Sequence, residues 1–353
     1  MTRIIDPKVL RIEWDPVQSI SFSKAKLWKK CKQAFHYKYV QKLEKRKKAL
    51  PLIIGTAIHA VIEEYQEGRD PQVPMDQFRK DFNKLFNEEK AELGDLPTVL
   101  EGIMETYFKK YENDGLTYPM RRWGLKTEIP VKVYLDNYTQ FVGYVDKFPQ
   151  DQEGRNWVMD HKSCKSIPDE ASRFGDTQLV LYVEMLPMLG YPRPDGVIWD
   201  YVKKKAPVRP EQLKAGGLSM AKKIDTTYEV YMDTVDKVLG PEHRPKYEEF
   251  AQTLKGREEK FLRRIYLPNP SRAMVDTVVQ DLVTTAKEIR LFAPTSTVRG
   301  QSRDCSWCSY YNLCQAELRG LDSDFIRKAD YTIKGEVNVE EETDDEPSDT
   351  SDE

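Results

Sequence analysis

No apolar run in this 353-residue chain approaches the ~20 residues that a membrane-spanning helix needs. The opening Met-Thr-Arg-Ile-Ile-Asp has no apolar h-region, so a soluble, intracellular protein is expected. There is no Gly-x4-Gly-Lys-Ser/Thr run, which excludes a P-loop motor from this chain. No internal repeat is visible. Cysteine is scarce, five in all, and in an intracellular setting clustered cysteines favour metal over disulfide. Positive charge is missing from residues 335–353, which hold ten Asp or Glu and no Lys or Arg. That tail has almost no apolar content and is expected to be disordered. It serves solubility, or it imitates a polyanion and competes for a basic surface.

What is present is a very polar chain with enough apolar content for a packed interior: 32% charged and 39% hydrophobic residues. The length suits one large domain or two. Against an overall charge of −3, the ten tail acids leave residues 1–334 at +7. Much of that excess lies in residues 24–48, where eleven Lys or Arg face one acid, Glu44, with Trp28, Phe35, Tyr37 and Tyr39 interleaved. Such a stretch reads as an electrostatic track for a nucleic-acid backbone, or as a solvated helix face followed by a basic turn.

Residues 1–20 read as an extended lead-in with a short strand at 11–14. Ser21 or Ser23 can cap a helix running to about residue 39, with Leu27, Cys31, Phe35 and Tyr39 on one face. A second helix is expected at about 54–65, with small residues Gly55, Ala57 and Ala60 allowing close packing. Residues 70–120 read as further helices. Ile129, Val131, Val133 and Leu135 alternate with polar neighbours, as a half-buried strand does. Strands follow at 141–146 and 157–162, then an apolar helix at 177–189 and a strand at 196–202. Residues 205–222, rich in Pro, Gly and Lys, are expected to be a mobile loop. Helices at about 225–239, 244–256 and 272–292 follow, with a short strand at 261–267.

The chemistry concentrates in residues 146–182. Asp146 and Asp160 close two apolar runs predicted to be adjacent strands, which brings two carboxylates close enough to share one cation. Magnesium typically takes one or two carboxylates, waters and substrate phosphate; manganese tolerates imidazole as well. Such an ion polarises a phosphate and makes its water a better nucleophile. Lys162 follows Asp160 by two residues, so in a strand both point to the same side and His161 to the other. Gln178 and Tyr182 lie one helical turn apart. His59, upstream, can add a neutral nitrogen ligand.

Cys305-x2-Cys308-x5-Cys314 supplies three thiolates, and Cys31 is the better candidate for a fourth than Cys164. Zinc and a 4Fe-4S cluster both accept four thiolates. Three close cysteines and one remote one, rather than two close pairs, tilt the choice toward iron–sulfur.

Taken together these motifs resemble the RecB-like branch of the PD-(D/E)XK nuclease superfamily. More narrowly they are similar to its iron–sulfur members: AddB-type nuclease domains, CRISPR-adaptation nucleases and related phage exonucleases. The resemblance runs from Ser21-Phe-Ser-Lys-Ala-Lys-Leu-Trp-Lys-Lys-Cys31 through Gly55-Thr-Ala-Ile-His59, Gly143-Tyr-Val-Asp146, Asp160-His-Lys162 and Gln178-x3-Tyr182 to the closing cysteine triplet. It implies an α/β (α+β) fold: a central mixed β-sheet of the restriction-endonuclease-like type, flanked by helices, with a C-terminal iron–sulfur region. It implies one nuclease domain over residues 21–320, with helical insertions at about 66–125 and 205–260 that match nothing in the family pattern. It implies His59, Asp146 and Asp160 as ligands of Mg²⁺ or Mn²⁺, Lys162 as the catalytic lysine, and Gln178 and Tyr182 as DNA-contacting or water-positioning residues. Cys31, Cys305, Cys308 and Cys314 become 4Fe-4S ligands, with Zn²⁺ as the alternative.

The expected activity is a DNA exonuclease acting on ends or single strands in recombination or repair. The implied setting is the cytoplasm of a bacterium or a phage-infected cell, with a single-strand annealing protein or a helicase as partner. A spacer-trimming nuclease of CRISPR adaptation and a non-catalytic iron–sulfur DNA-binding module are the rival readings.

Overall fold

The structure, a computed structural model, describes residues 17–46, 50–118, 129–174, 176–214 and 216–334. The strand expected at 11–14, Lys47 and Lys48 of the basic run, and the acidic tail lie outside the described residues. In chain order the elements are β1 (Gln18–Ile20), α1 (Phe22–Lys30), α2 (Lys32–Phe35), a π-helical turn (His36–Val40), β2 (Leu43–Lys45), α3 (Leu50–Gln66), α4 (Gln72–Asn83), α5 (Asn87–Leu93), α6 (Leu96–Tyr111), β3 (Ile129–Tyr134), β4 (Thr139–Val145), β5 (Trp157–Cys164), α7 (Glu170–Phe174), α8 (Gln178–Met188), β6 (Gly196–Lys203), α9 (Tyr228–Val238), α10 (Arg244–Gln252), β7 (Leu262–Pro268), α11 (Arg272–Phe292), α12 (Tyr311–Arg319), α13 (Ser323–Asp330) and β8 (Tyr331–Ile333). The chain divides into two compact units, residues 1–22 with 49–286 and residues 23–48 with 287–353.

The larger unit is a mixed α/β structure. In β3, Ile129, Val131 and Val133 are buried while Pro130 and Lys132 are exposed, the period of two that the sequence shows. β4 lies between β1, parallel to it, and β3, antiparallel to it. β6 lies between β5, parallel, and β7, antiparallel. The helix α8 falls between β5 and β6, as a crossover between parallel strands requires. Among the described residues of this unit the strands form two three-stranded mixed sheets rather than one continuous central sheet. They meet where the chain leaving β4 pairs with β5 through an antiparallel bridge, Lys147 to Met159, with N–H···O distances of 3.1 and 2.9 Å.

The helices of residues 50–111 pack on the second sheet. Ile58 and Ile62 of α3 and Met104 and Tyr107 of α6 share a buried cluster with Val202 and Leu262. The segment expected to be a mobile loop is pinned. Leu218 is buried among Tyr231, Tyr247 and Leu254, its N–H donates to Tyr247 Oη at 3.0 Å, and Tyr231 Oη donates to Ser219 O at 3.1 Å. One large apolar residue in a Gly- and Lys-rich stretch is enough to anchor it, because the α9–α10 pair offers an apolar cleft.

In the smaller unit, β2 and β8 pair antiparallel, setting Leu43 opposite Ile333. Ala34, Tyr37, Leu43, Tyr310, Leu313 and Tyr331 form its core. The helix expected to run unbroken to residue 39 is interrupted. Cys31 adopts an extended conformation (φ −161°, ψ 110°), and its sulfur accepts the Ala34 N–H as an N-cap to α2. A capping side chain at this point starts a new helix rather than continuing the old one.

Candidate active site

Asp146 stands just past β4, and its Oδ2 accepts the backbone N–H of His161 at 3.1 Å. The two expected carboxylates are thereby brought to one place, although Asp160 lies within β5 rather than at its end. Lys162 Nζ is 2.8 Å from Asp160 Oδ2 and donates to Gln178 Oε1 at 3.0 Å. The ammonium also lies 5.4 Å from the centre of the Trp199 ring. Gln178 opens α8, its N–H accepted by Asp176 Oδ1 at 3.3 Å, so the first turn of that helix faces the strand carrying the lysine.

Tyr182 is buried rather than open to solvent, its ring edge-on to Phe22 and Phe141. Its hydroxyl is held by the Gln178 side chain and the Tyr144 backbone. A β-carbon at Gly143 would stand 2.7 Å from that hydroxyl, so the Gly-Tyr-Val-Asp run needs glycine at its head. His59, on α3, meets the ring of His161 edge-to-face with centroids 6.3 Å apart.

The electrostatics of the site are unbalanced toward negative charge. Burial, then the nearby charge of Asp146, pushes the Asp160 carboxyl up to about 7 against the pull of Lys162. Asp160 Oδ2 is buried and takes no aligned hydrogen bond. Burial works against the Lys162 charge as well, yet Asp160 and Asp176 keep its pKa raised. Burial and then His161 lower His59 to about 4, so its imidazole is neutral at pH 7, the form that binds metals. Among the described residues, no three His, Cys, Asp or Glu side chains are gathered into a ready-made metal cage. What is present is a carboxylate pair short of positive charge beside a neutral imidazole and a fixed lysine.

A family model of the PD-(D/E)XK nuclease superfamily matches residues 19–315, most of the chain. The chain belongs to this superfamily. No curated protein sequence matches it. Asp146, Asp160 and Lys162, the residues expected from the sequence to form its centre, all lie within the matched span.

The nuclease also carries polar groups that the sequence reading missed. Asp200 is fully buried in β6. Burial alone would raise its pKa, but Arg264 and hydrogen bonds from His161 and Tyr107 overcome this and hold it at about 2. A lone acid inside the apolar run Gly-Val-Ile-Trp-Asp-Tyr-Val was the available signal, since a buried carboxylate requires partners.

In the smaller unit, Cys31, Cys305, Cys308 and Cys314 all line one cavity of about 50 Å³. None is in a disulfide, and Cys164 lies on β5 in the other unit. The Cys31 sulfur accepts N–H groups of Ala34 and Gly300, each at 3.4 Å, and Cys305 accepts that of Ser302 at 3.5 Å. Burial, and then the other three cysteines, pushes the Cys308 thiol up, while Arg299 hydrogen-bonds Cys314. Gly300 is tight against α1: a β-carbon there would stand 2.0 Å from the Lys30 carbonyl oxygen. In the basic run, Lys32 lies over Trp28, Lys24 and Lys38 lie over Tyr39, and Lys30 pairs with Asp304 at 2.8 Å.

Proposed function

We propose that this chain is a metal-dependent deoxyribonuclease of the RecB-like branch, an exonuclease that works from DNA ends or on single strands. The observation that carries the reading is the linked set Asp146, Asp160, Lys162 and Gln178, in which two neighbouring carboxylates, Asp160 buried, face the Lys162 ammonium and keep the Asp160 carboxyl raised to about 7. That pairing of carboxylates fits a divalent cation. Asp146, Asp160 and neutral His59 would hold Mg²⁺ or Mn²⁺. When bound, the ion supplies Lewis-acid chemistry, polarising the phosphate and lowering the pKa of water. Lys162 offsets charge developing on the phosphate oxygens. Gln178 fixes the lysine from the other side, and Tyr182 in turn fixes Gln178. Lys24, Lys32 and Lys38, held beside aromatic rings, serve as a surface for the phosphate backbone.

We assign a 4Fe-4S cluster to the smaller unit. Four thiols on one cavity, with backbone N–H groups aimed at three of the sulfurs, suit a group that takes four thiolates. Zinc uses the same donors and is separated by analysis: anaerobically purified protein should be brown, with iron and acid-labile sulfide each near four per chain (about four, by the cluster's formula). Colourless protein carrying zinc would reject the cluster. The activity is tested by time-resolved digestion of end-labelled single- and double-stranded DNA with Mg²⁺ or Mn²⁺. Mononucleotides released from one end from the start support an exonuclease, and mid-length fragments appearing first would reject it.

A further inference from the structure

Behind the carboxylate face of β5 runs a buried chain of polar groups that the proposed reaction does not use. The two ring nitrogens of His161 each meet an oxygen: Nδ1 is 2.9 Å from Asp200 Oδ2 and Nε2 is 3.1 Å from Gln66 Oε1. Tyr107 donates to the same Asp200 oxygen at 2.7 Å. Arg264 Nε is 3.5 Å from the other oxygen, and its guanidinium also reaches Asp114. Gln66 ends α3, Tyr107 lies on α6 and Asp114 just beyond it. A buried ionic cluster gives no more stability than well-packed apolar side chains of the same volume. What it gives is fixed geometry.

The residue so fixed touches every candidate metal ligand. The His161 N–H donates to Asp146 Oδ2 at 3.1 Å. Its neighbours in the chain are Asp160 and Lys162, which the strand period sends to the opposite face. Its ring stands edge-on to His59. A ring with an oxygen at hydrogen-bond distance from each nitrogen is held in one orientation, and a strand residue so held keeps its neighbours to their own face. We propose that His161, clamped between Gln66 and Asp200, is the positioning residue of the nuclease centre, holding Asp146, Asp160 and His59 in register for a divalent cation. The helical stretch of residues 66–114 is thereby part of the catalytic apparatus. This rests on the reading of the centre given above.

The test is calorimetric titration of Mn²⁺ into metal-free, full-length protein, with kcat and KM on DNA and urea unfolding measured in parallel. His161→Leu keeps the volume and removes both contacts. Gln66→Leu removes one of the two, together with the amide's 3.4 Å bond to Tyr107 Oη, and leaves the Asp200–Arg264 pair intact, so it decides the matter if His161→Leu fails to fold. The expected result is Mn²⁺ binding weakened by about tenfold in His161→Leu and by less in Gln66→Leu, with kcat falling in step and KM for DNA unchanged. Unchanged Mn²⁺ affinity and kcat in variants whose urea midpoint falls would overturn the proposal and leave a purely structural cluster. Asp160→Ala separates the two claims. If it binds Mn²⁺ as the native protein does, the reading of the centre fails and the positioning role with it. If it loses Mn²⁺ while both Leu variants keep it, only the positioning role fails.

Discussion

In the larger unit, Asp146 is held by a strand N–H, Asp160 is paired with Lys162, and Lys162 is held by Gln178. In the smaller unit, four cysteines face one cavity with backbone N–H groups and Arg299 as their polar partners, and they sit among tyrosines and leucine. In the first, Lys162 offsets part of the carboxylate charge, and the His161 N–H and Gln178 hold the arrangement. The second supplies donors that repel one another once ionised, so its arrangement depends on what they bind. A site for chemistry is thus built by register and ion pairing. The cysteine group is built by gathering soft donors around one cavity.

The largest effect expected from disturbing this contrast is on rate. Lys162→Ala should lower kcat by about 10²–10³, the cost of losing one fixed charge at a phosphoryl oxygen, with an unchanged circular dichroism spectrum. A drop of less than tenfold would show that the lysine only neutralises Asp160. Next comes Asp200→Ala, which strands Arg264 without its buried partner; urea unfolding should show a loss of about 3–5 kcal/mol. A loss below about 1 kcal/mol, the worth of an exposed pair, would mean that Asp114 alone compensates Arg264.

The third prediction concerns pH. Asp160 is raised to about 7 in the folded, metal-free protein, against about 3.9 when unfolded. The folded state therefore holds a proton that the unfolded state has released. This contributes stability that is full below about pH 4 and lost as pH rises through about 7. A cation must displace that proton, so Mn²⁺ affinity should climb up to about tenfold per pH unit toward pH 7 and then level off. His59, neutral above about pH 4, adds no further slope. Calorimetry between pH 5.5 and 8 reads this directly, and a flat affinity would contradict it. The smallest effect expected is on stability of the other centre: Cys314→Ser should bleach the visible absorbance and lower that unit's melting midpoint by on the order of 5 °C. Because the two centres share no residue, Mn²⁺ affinity at the first should not change.

Much of this was legible in the sequence. The strand at 129–134 and the helix at 272–292 announced themselves by period, and Asp160 and Lys162 share a face because a strand alternates. Cysteine spacing pointed to three of the four cysteines that line the cavity, and the place of Cys31 on the early helix to the fourth. Other features depended on distance in the fold. That Gln66, Tyr107 and Arg264 converge on Asp200 follows from α3 and α6 packing on β6 and β7, which no local pattern encodes. The break at Cys31 was hidden because Leu27, Cys31, Phe35 and Tyr39 fit a continuous helical face, and only the sulfur's bond to Ala34 shows where that face ends. The split into two three-stranded sheets hinges on a single bridge at Lys147, a level of detail that alternation does not reach.

The central claim is that Asp160, through the cation it holds, is where phosphodiester cleavage takes place. Its most direct test is Asp160→Ala, assayed on end-labelled DNA with saturating Mg²⁺ or Mn²⁺ alongside the native protein. Degradation should fall to background while the urea unfolding curve stays close to native. Cation-dependent degradation at the native rate would place the catalytic centre elsewhere in the chain.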